Sequence, residues 1–129
     1  MLGSCLCGQI KYEVACFHPE ITNCHCGMCR KFHGAAFATY GKVQSRDFRW
    51  LEGQTLLGTY QSSTAAERGF CTCCGSSLYY QFVGQEDQIS IAIGTLDEEP
   101  SRPVDNSIFC SSRPLWSICN KDIPEHPEW

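Results

Sequence analysis

Cysteine is the feature that most constrains this chain. Eleven of its 129 residues are cysteine, near the density at which small secreted proteins become disulfide scaffolds. The count is odd, and the start Met1-Leu2-Gly3-Ser4-Cys5 lacks the basic stretch and apolar run of a signal peptide. The expected setting is therefore the reducing cytoplasm, where clustered cysteines read as metal ligands rather than disulfide halves.

Eight of the cysteines fall in three tight groups: Cys5-Leu6-Cys7-Gly8, Cys24-His25-Cys26-Gly27-Met28-Cys29 and Cys71-Thr72-Cys73-Cys74-Gly75. Two nearby thiolates can share one ion when the chain between them turns tightly. A following glycine supplies positive φ and lets N–H groups approach the sulfurs. By this logic "CLCG" and "CHCG" look like one turn used twice. In the last group Cys71 and Cys74 have the usual knuckle spacing, which sets Cys73 aside. Seven clustered cysteines then divide naturally as four plus three. Zinc with four thiolates is closed and structural; three leave a place for water or substrate. Spacing alone does not decide which groups pair, and one zinc site with the rest as free thiols also fits it.

The remaining composition removes other classes. A net charge of −4 with dispersed Lys and Arg argues against a nucleic-acid surface. No apolar run approaches the roughly 18 residues of a membrane span. The length suits a single domain over residues 1–129.

Short runs separated by Gly, Ser and Asp, with polar–apolar alternation in 9–14 and an apolar run at 35–40, predict a mainly β fold. The candidates are 9–14, 35–40, 56–60, 67–70, 77–82, 89–93 and 108–110. Ser45–Leu51 reads as a short helical turn capped by Ser45, and the segment after Cys29 as another. The tail Pro124–Trp129 is too proline-rich for regular structure. The first and last cysteine groups then lie at strand starts and hairpin tips, where a closed zinc would pin the N-terminus to the middle of the sheet.

The run from Gly3 to Tyr12, the run from Cys24 to Gly34, and the run Arg68-Gly69-Phe70-Cys71-Thr72-Cys73-Cys74-Gly75-Ser76-Ser77-Leu78 occur in this order. With Ile91–Asp97 and Arg113-Pro114-Leu115-Trp116 they resemble the glutathione-dependent formaldehyde-activating enzyme family over nearly the whole chain. The resemblance implies a β-tent of antiparallel sheets with zinc knuckles. It implies a structural zinc at Cys5, Cys7, Cys71 and Cys74, and a catalytic zinc at Cys24, Cys26 and Cys29. It further implies carbon–sulfur lyase chemistry joining glutathione and formaldehyde as S-hydroxymethylglutathione. One position departs: the family often carries a histidine where this chain has Ser107, before Ile108, which bears on the substrate.

The chemistry stands without the family. A free thiol is mostly protonated at neutral pH, and the thiolate is the nucleophile. Zinc with an open position can take an incoming thiol as a fourth ligand and release its proton. Three thiolates donate much charge, so thiolate delivery to an aldehyde is favoured over Lewis-acid activation of the carbonyl. Seven thiolates and two zinc ions move the formal charge from −4 to −7, and the three-thiolate site alone carries −1. Arg30 and Lys31 follow that site and are candidates to offset its charge or receive a substrate carboxylate. Trp116 is a candidate cleft wall, with core packing as its ordinary role. His25 is expected to orient a neighbour or meet solvent, and His33 to be a surface residue. Cys16, Cys73, Cys110 and Cys119 are left as spare thiols, with Cys73 at a knuckle tip the readiest to oxidise. Two other classes compete. One is a non-catalytic zinc-stabilised module that binds protein. The other resembles methionine sulfoxide reductase B and needs a reactive non-ligand thiol, for which Cys110 is the candidate.

Overall fold

The computed structural model describes residues 1–117 and His126. Cys119 and, apart from His126, the proline-rich tail lie outside the described residues. Among these residues ten strands and one α-helix follow in order. They are Leu2–Ser4 (β1), Lys11–Val14 (β2), Ile21–Cys24 (β3), the helix Gly27–His33 (α1), Ala38–Gln44 (β4), Phe48–Glu52 (β5), Leu57–Ser63 (β6), Ala66–Cys71 (β7), Ser77–Phe82 (β8), Gln88–Ala92 (β9) and Asn106–Ile108 (β10).

A small sheet has the order β1-β2-β5, and a seven-stranded sheet the order β10-β3-β4-β9-β8-β7-β6. All pairs are antiparallel except β10 with β3, which run parallel. The fold is mainly β as expected, but the large sheet is mixed.

Alternation sets its two faces. Val43, Ile89, Ile91 and Tyr79 turn inward and meet Ile10, Tyr12 and Val14 beneath the small sheet. Burying each such aliphatic side chain is worth about 1.5–3 kcal/mol. Their neighbours Tyr40, Tyr80 and Ala92 lie on the other face and form a second cluster with Cys24 and Cys29. The sheet thus carries the structural core on one side and the candidate site on the other. Gly69 is required by close approach: a Cβ there would lie 1.8 Å from the ring of Tyr79, its cross-strand partner.

Several expected elements shift. The helical turn covers only Ser45–Asp47, and Gln44 precedes it without a side-chain cap. Phe48–Leu51 is strand instead, because Trp50 pairs with Tyr12 and packs edge-on against its ring. Cross-strand packing outweighs local propensity there. Strands β1 and β3 are short and polar, so their sequences alone carry little pattern. The helix starts two residues before Cys29. Among the described residues no helix is long and apolar enough to cross a membrane.

Candidate metal centres and cavity

Cys5, Cys7, Cys71 and Cys74 bring their sulfurs within 4.8 Å of one another. Two matching knuckles do this. Gly8 N–H bonds the Cys5 carbonyl at 2.8 Å, and Gly75 N–H bonds the Cys71 carbonyl at 2.8 Å. Both glycines have positive φ, 72° and 77°, as a tight turn after the sulfurs requires. The first knuckle joins β1 to β2 and the second joins β7 to β8, so the cluster ties the small sheet to the large one. Cys71 is fully buried. The Ser76 hydroxyl, 3.3 Å from Cys74 Sγ, and the Ser76 backbone together lower that thiol to about 5. Cys73 stands outside the group, exposed, with Gln9 Nε2 3.4 Å from its sulfur.

Cys24, Cys26 and Cys29 form a second group, also within 4.8 Å. Cys24 ends β3, Cys26 caps α1 and Cys29 lies in its first turn. The Cys26 sulfur accepts from Cys29 N–H at 3.4 Å. "CHCG" is therefore not the same device as "CLCG": Gly27 begins a helix, and it is not among the glycines of positive φ. The helix ends at Gly34, whose left-handed backbone (φ 59°) turns its N–H to the Arg30 carbonyl.

The electrostatics of this group call for a cation. Burial would raise the Cys26 thiol, but the N–H groups of Cys29 and Met28 and the neighbouring thiols outweigh it and bring it down. Burial, and then the hydrogen bonds of Cys26 and Cys24, push Cys29 up to about 12. Cys24 is raised, first by burial. One sulfur can ionise readily, but three cannot without positive charge beside them. An all-sulfur donor set of this kind fits zinc.

Part of that charge comes from a residue the sequence reading passed over. Arg68, only 5% exposed on β7, places its two terminal nitrogens 3.7 and 3.6 Å from Cys29 Sγ. Its guanidinium lies over the rings of Phe32 and Tyr80 and donates to the Tyr40 hydroxyl at 3.4 Å. Burial opposes the charge of Arg68, but Cys29 more than offsets it. Tyr40 in turn lies 2.7 Å from His33 Nε2. Burial, helped by Arg68, lowers His33 to about 4, and burial raises Tyr40. At neutral pH His33 is therefore neutral and Tyr40 protonated. Arg68 can only donate, so the tyrosine proton points to His33 Nε2, which accepts. His33 is half-buried and bonded here, not the surface residue expected.

The three-sulfur group lines a cavity of about 390 Å³. Tyr40, Tyr80, Phe82, Ile108 and Phe109 line it too, with Arg68 and Lys42 as its cations. Ile108 stands opposite Cys24 in the parallel pair, and its carbonyl accepts from His25 N–H at 3.1 Å. Ser107, the departing position, precedes it on β10.

Arg30, Lys31 and Trp116 are brought together elsewhere. With Gly27, Gly34 and Ala35 they line a separate hollow of about 260 Å³. Trp116 is 73% exposed; it neither packs in the core nor walls the cysteine cavity. Arg30 and Lys31 also occupy the last turn of α1, where cations oppose the negative end of the helix. Arg30 Nε is buried with no hydrogen-bond partner among the described residues. His25 is buried, with Arg113 3.3 Å from its Nε2 and Phe37 packed on its ring, so it meets a neighbour rather than solvent. Cys110 is exposed, its sulfur 3.7 Å from an Arg113 nitrogen.

A mixed sheet with cysteine knuckles and a thiol-lined cavity defines a class of cysteine-rich β proteins able to bind metal. The model of the family "Glutathione-dependent formaldehyde-activating enzyme" matches residues 1–112, and the chain belongs to that family. An uncharacterized lyase of Schizosaccharomyces pombe is 34% identical over 80 residues, covering 62% of this chain and 56% of the relative. A Halomonas elongata protein provisionally named a glutathione-dependent formaldehyde-activating enzyme is 26% identical over 121 residues. That match covers 88% of this chain and 77% of the relative. A solved Rhodobacter sphaeroides protein superposes with a TM-score of 0.67 at 25% identity, over 83% of this chain and 99% of that one.

Proposed function

We propose that this protein is a zinc-dependent carbon–sulfur lyase acting on a thiol–aldehyde adduct of the S-hydroxymethylglutathione type. The observation that carries the reading is the convergence of Cys24, Cys26 and Cys29 on one cavity wall, with the buried cation Arg68 against Cys29. Two zinc ions are assigned. One is structural, held by Cys5, Cys7, Cys71 and Cys74; the other is catalytic, held by Cys24, Cys26 and Cys29. When bound at the second site, zinc supplies the positive charge that favours the thiolate form of an incoming thiol.

The chain's own residues do the rest. Arg68 offsets sulfur charge at Cys29 and is held in line by Tyr40 and by the rings of Phe32 and Tyr80. His33, kept neutral, fixes the Tyr40 proton away from the guanidinium. The apolar residues around the cavity exclude water from the adduct. Arg30, Lys31 and Trp116, around the far side of α1, are assigned to the charged end of a glutathione-like thiol. The placing of two cations beside Trp116 at one hollow supports that assignment. Residues 1–129 work as one domain, and seven ligand thiols suit the reducing cytoplasm.

The test is a screen of thiol–aldehyde adducts, glutathione with formaldehyde first, with metal content measured on the same sample. The expected result is turnover that tracks zinc, is lost in Cys26→Ser and persists in Cys110→Ser. Turnover lost in Cys110→Ser and kept in Cys26→Ser would mark a redox enzyme. No turnover with any adduct in a two-zinc sample would mark a binding module.

A further inference from the structure

A third set of donors converges outside both sulfur groups. Cys16, His18 and Asp47 bring one ligand atom each within 4.8 Å of the others. The Cys16 sulfur, a spare thiol by sequence, lies 2.8 Å from His18 Nε2.

The backbone fixes this arrangement. Cys16 and His18 flank Phe17, which is buried and packed over Gly41, where a Cβ would lie 2.4 Å from its ring. Ala15 N–H donates to the Asp47 carbonyl at 2.8 Å, and His18 N–H donates to the Lys42 carbonyl at 2.8 Å. Asp47 closes the helical turn Ser45–Asp47. Three segments, one following β2, one preceding β5 and one in β4, are thus tied together around the donors.

A Cys–His–Asp set could also describe a nucleophile, but this geometry opposes it. A nucleophile's carboxylate belongs behind the imidazole, where it orients the base. Here an Asp47 carboxylate oxygen lies within 4.8 Å of the Cys16 sulfur as well as of the His18 ligand atom, so it is not held on the far side of the ring from the thiol. Negative donors that resist one another's ionisation are what a cation relieves.

We propose that Cys16 Sγ, His18 Nε2 and an Asp47 carboxylate oxygen bind a further divalent transition-metal ion of the zinc class, with its remaining position open to water. Mixed sulfur, nitrogen and oxygen donors suit zinc or cobalt and not the hard calcium or magnesium ions. Binding converts the Cys16 thiol to thiolate and releases its proton to solvent, while His18 binds as neutral imidazole. Thiolate and carboxylate then neutralise the dication. Arg46 Nε, 3.7 Å from Asp47 on an exposed side chain, gives up a surface ion pair worth little. Pro19 and Glu20, directly after His18, line the cysteine cavity, so the ion would sit beside that cavity's rim.

The test is a Co²⁺ titration of full-length protein carrying two equivalents of zinc, one for each sulfur group, read by thiolate-to-cobalt absorption and by protons released. Wild type should take up one more equivalent, with that absorption and about one proton. His18→Gln and Asp47→Asn should each weaken the uptake about tenfold or more, and Cys16→Ser should abolish the absorption. The two zinc ions already bound should be unchanged in all three variants, which separates this result from a folding defect and from the fate of the lyase reading. Uptake equal in wild type and His18→Gln, or uptake without thiolate absorption, overturns the proposal.

Discussion

The two sulfur groups use the same ligand chemistry and differ in what surrounds it. Around Cys5, Cys7, Cys71 and Cys74 the neighbours are backbone turns and a serine hydroxyl, and the knuckles join two sheets. Around Cys24, Cys26 and Cys29 they are a buried arginine, a tyrosine, a neutral histidine and a cavity. One set of neighbours stabilises a fold. The other adds a directed charge beside an accessible volume. Ligand type alone would not separate the two proposed roles; the difference in surroundings is what supports them.

The sharpest way to break that comparison is one serine in each group. Cys71→Ser should prevent accumulation of folded protein, because metal binding energy there is also folding energy. Cys26→Ser should keep the fold and lose adduct turnover by about a hundredfold or more. Circular dichroism and zinc content on both variants, with turnover on the second, check this. Equal loss of fold in the two would erase the distinction.

A smaller effect is expected at Arg68. Arg68→Met should lower turnover about 10- to 100-fold, as removing an outer-shell partner of a ligand does. Arg68→Lys should recover only part, since one ammonium cannot reach both the Cys29 sulfur and the Tyr40 hydroxyl as the guanidinium fork does. Full activity in Arg68→Met would reduce the arginine to a packing residue.

The mildest expectation concerns pH. His33 has a folded value of about 4 against an ordinary 6.5. Between those values the unfolded chain binds a proton that the folded chain refuses, so stability rises with pH across that window. The contribution is present above pH 6.5 and is lost as pH falls toward 4. His33→Gln should flatten that part of a denaturation-versus-pH profile relative to wild type while leaving the thiol-dependent part.

Much of this was legible in the chain. Cys-Gly spacing marks the turns at Gly8 and Gly75 but misleads at Gly27, which begins a helix, and β8 spans Ser77–Phe82, the run its pattern predicts. Arg68 was less visible because its strand was read for hydrophobicity. The available signal was a charged residue in register with buried Ala66, three positions before Cys71. His33 and Tyr40 meet only because α1 folds back on β4, a tertiary contact that no spacing encodes. Trp116 was placed by its proline context, yet it faces the Arg30 hollow instead of the cysteine cavity. The parallel pairing of β10 was hidden for a similar reason: a three-residue strand of exposed side chains shows its partner only in the fold.

The account's central claim is that one sulfur group is closed and the other open to a thiol. The direct measurement is glutathione titration of protein carrying cobalt in both groups, read by the cobalt spectrum in wild type and in Cys26→Ser. The account predicts a saturable change in wild type from one of the two cobalt ions, absent in Cys26→Ser, with the other ion's spectrum constant throughout. A wild-type spectrum unmoved by glutathione, or one that moves equally in Cys26→Ser, would contradict it.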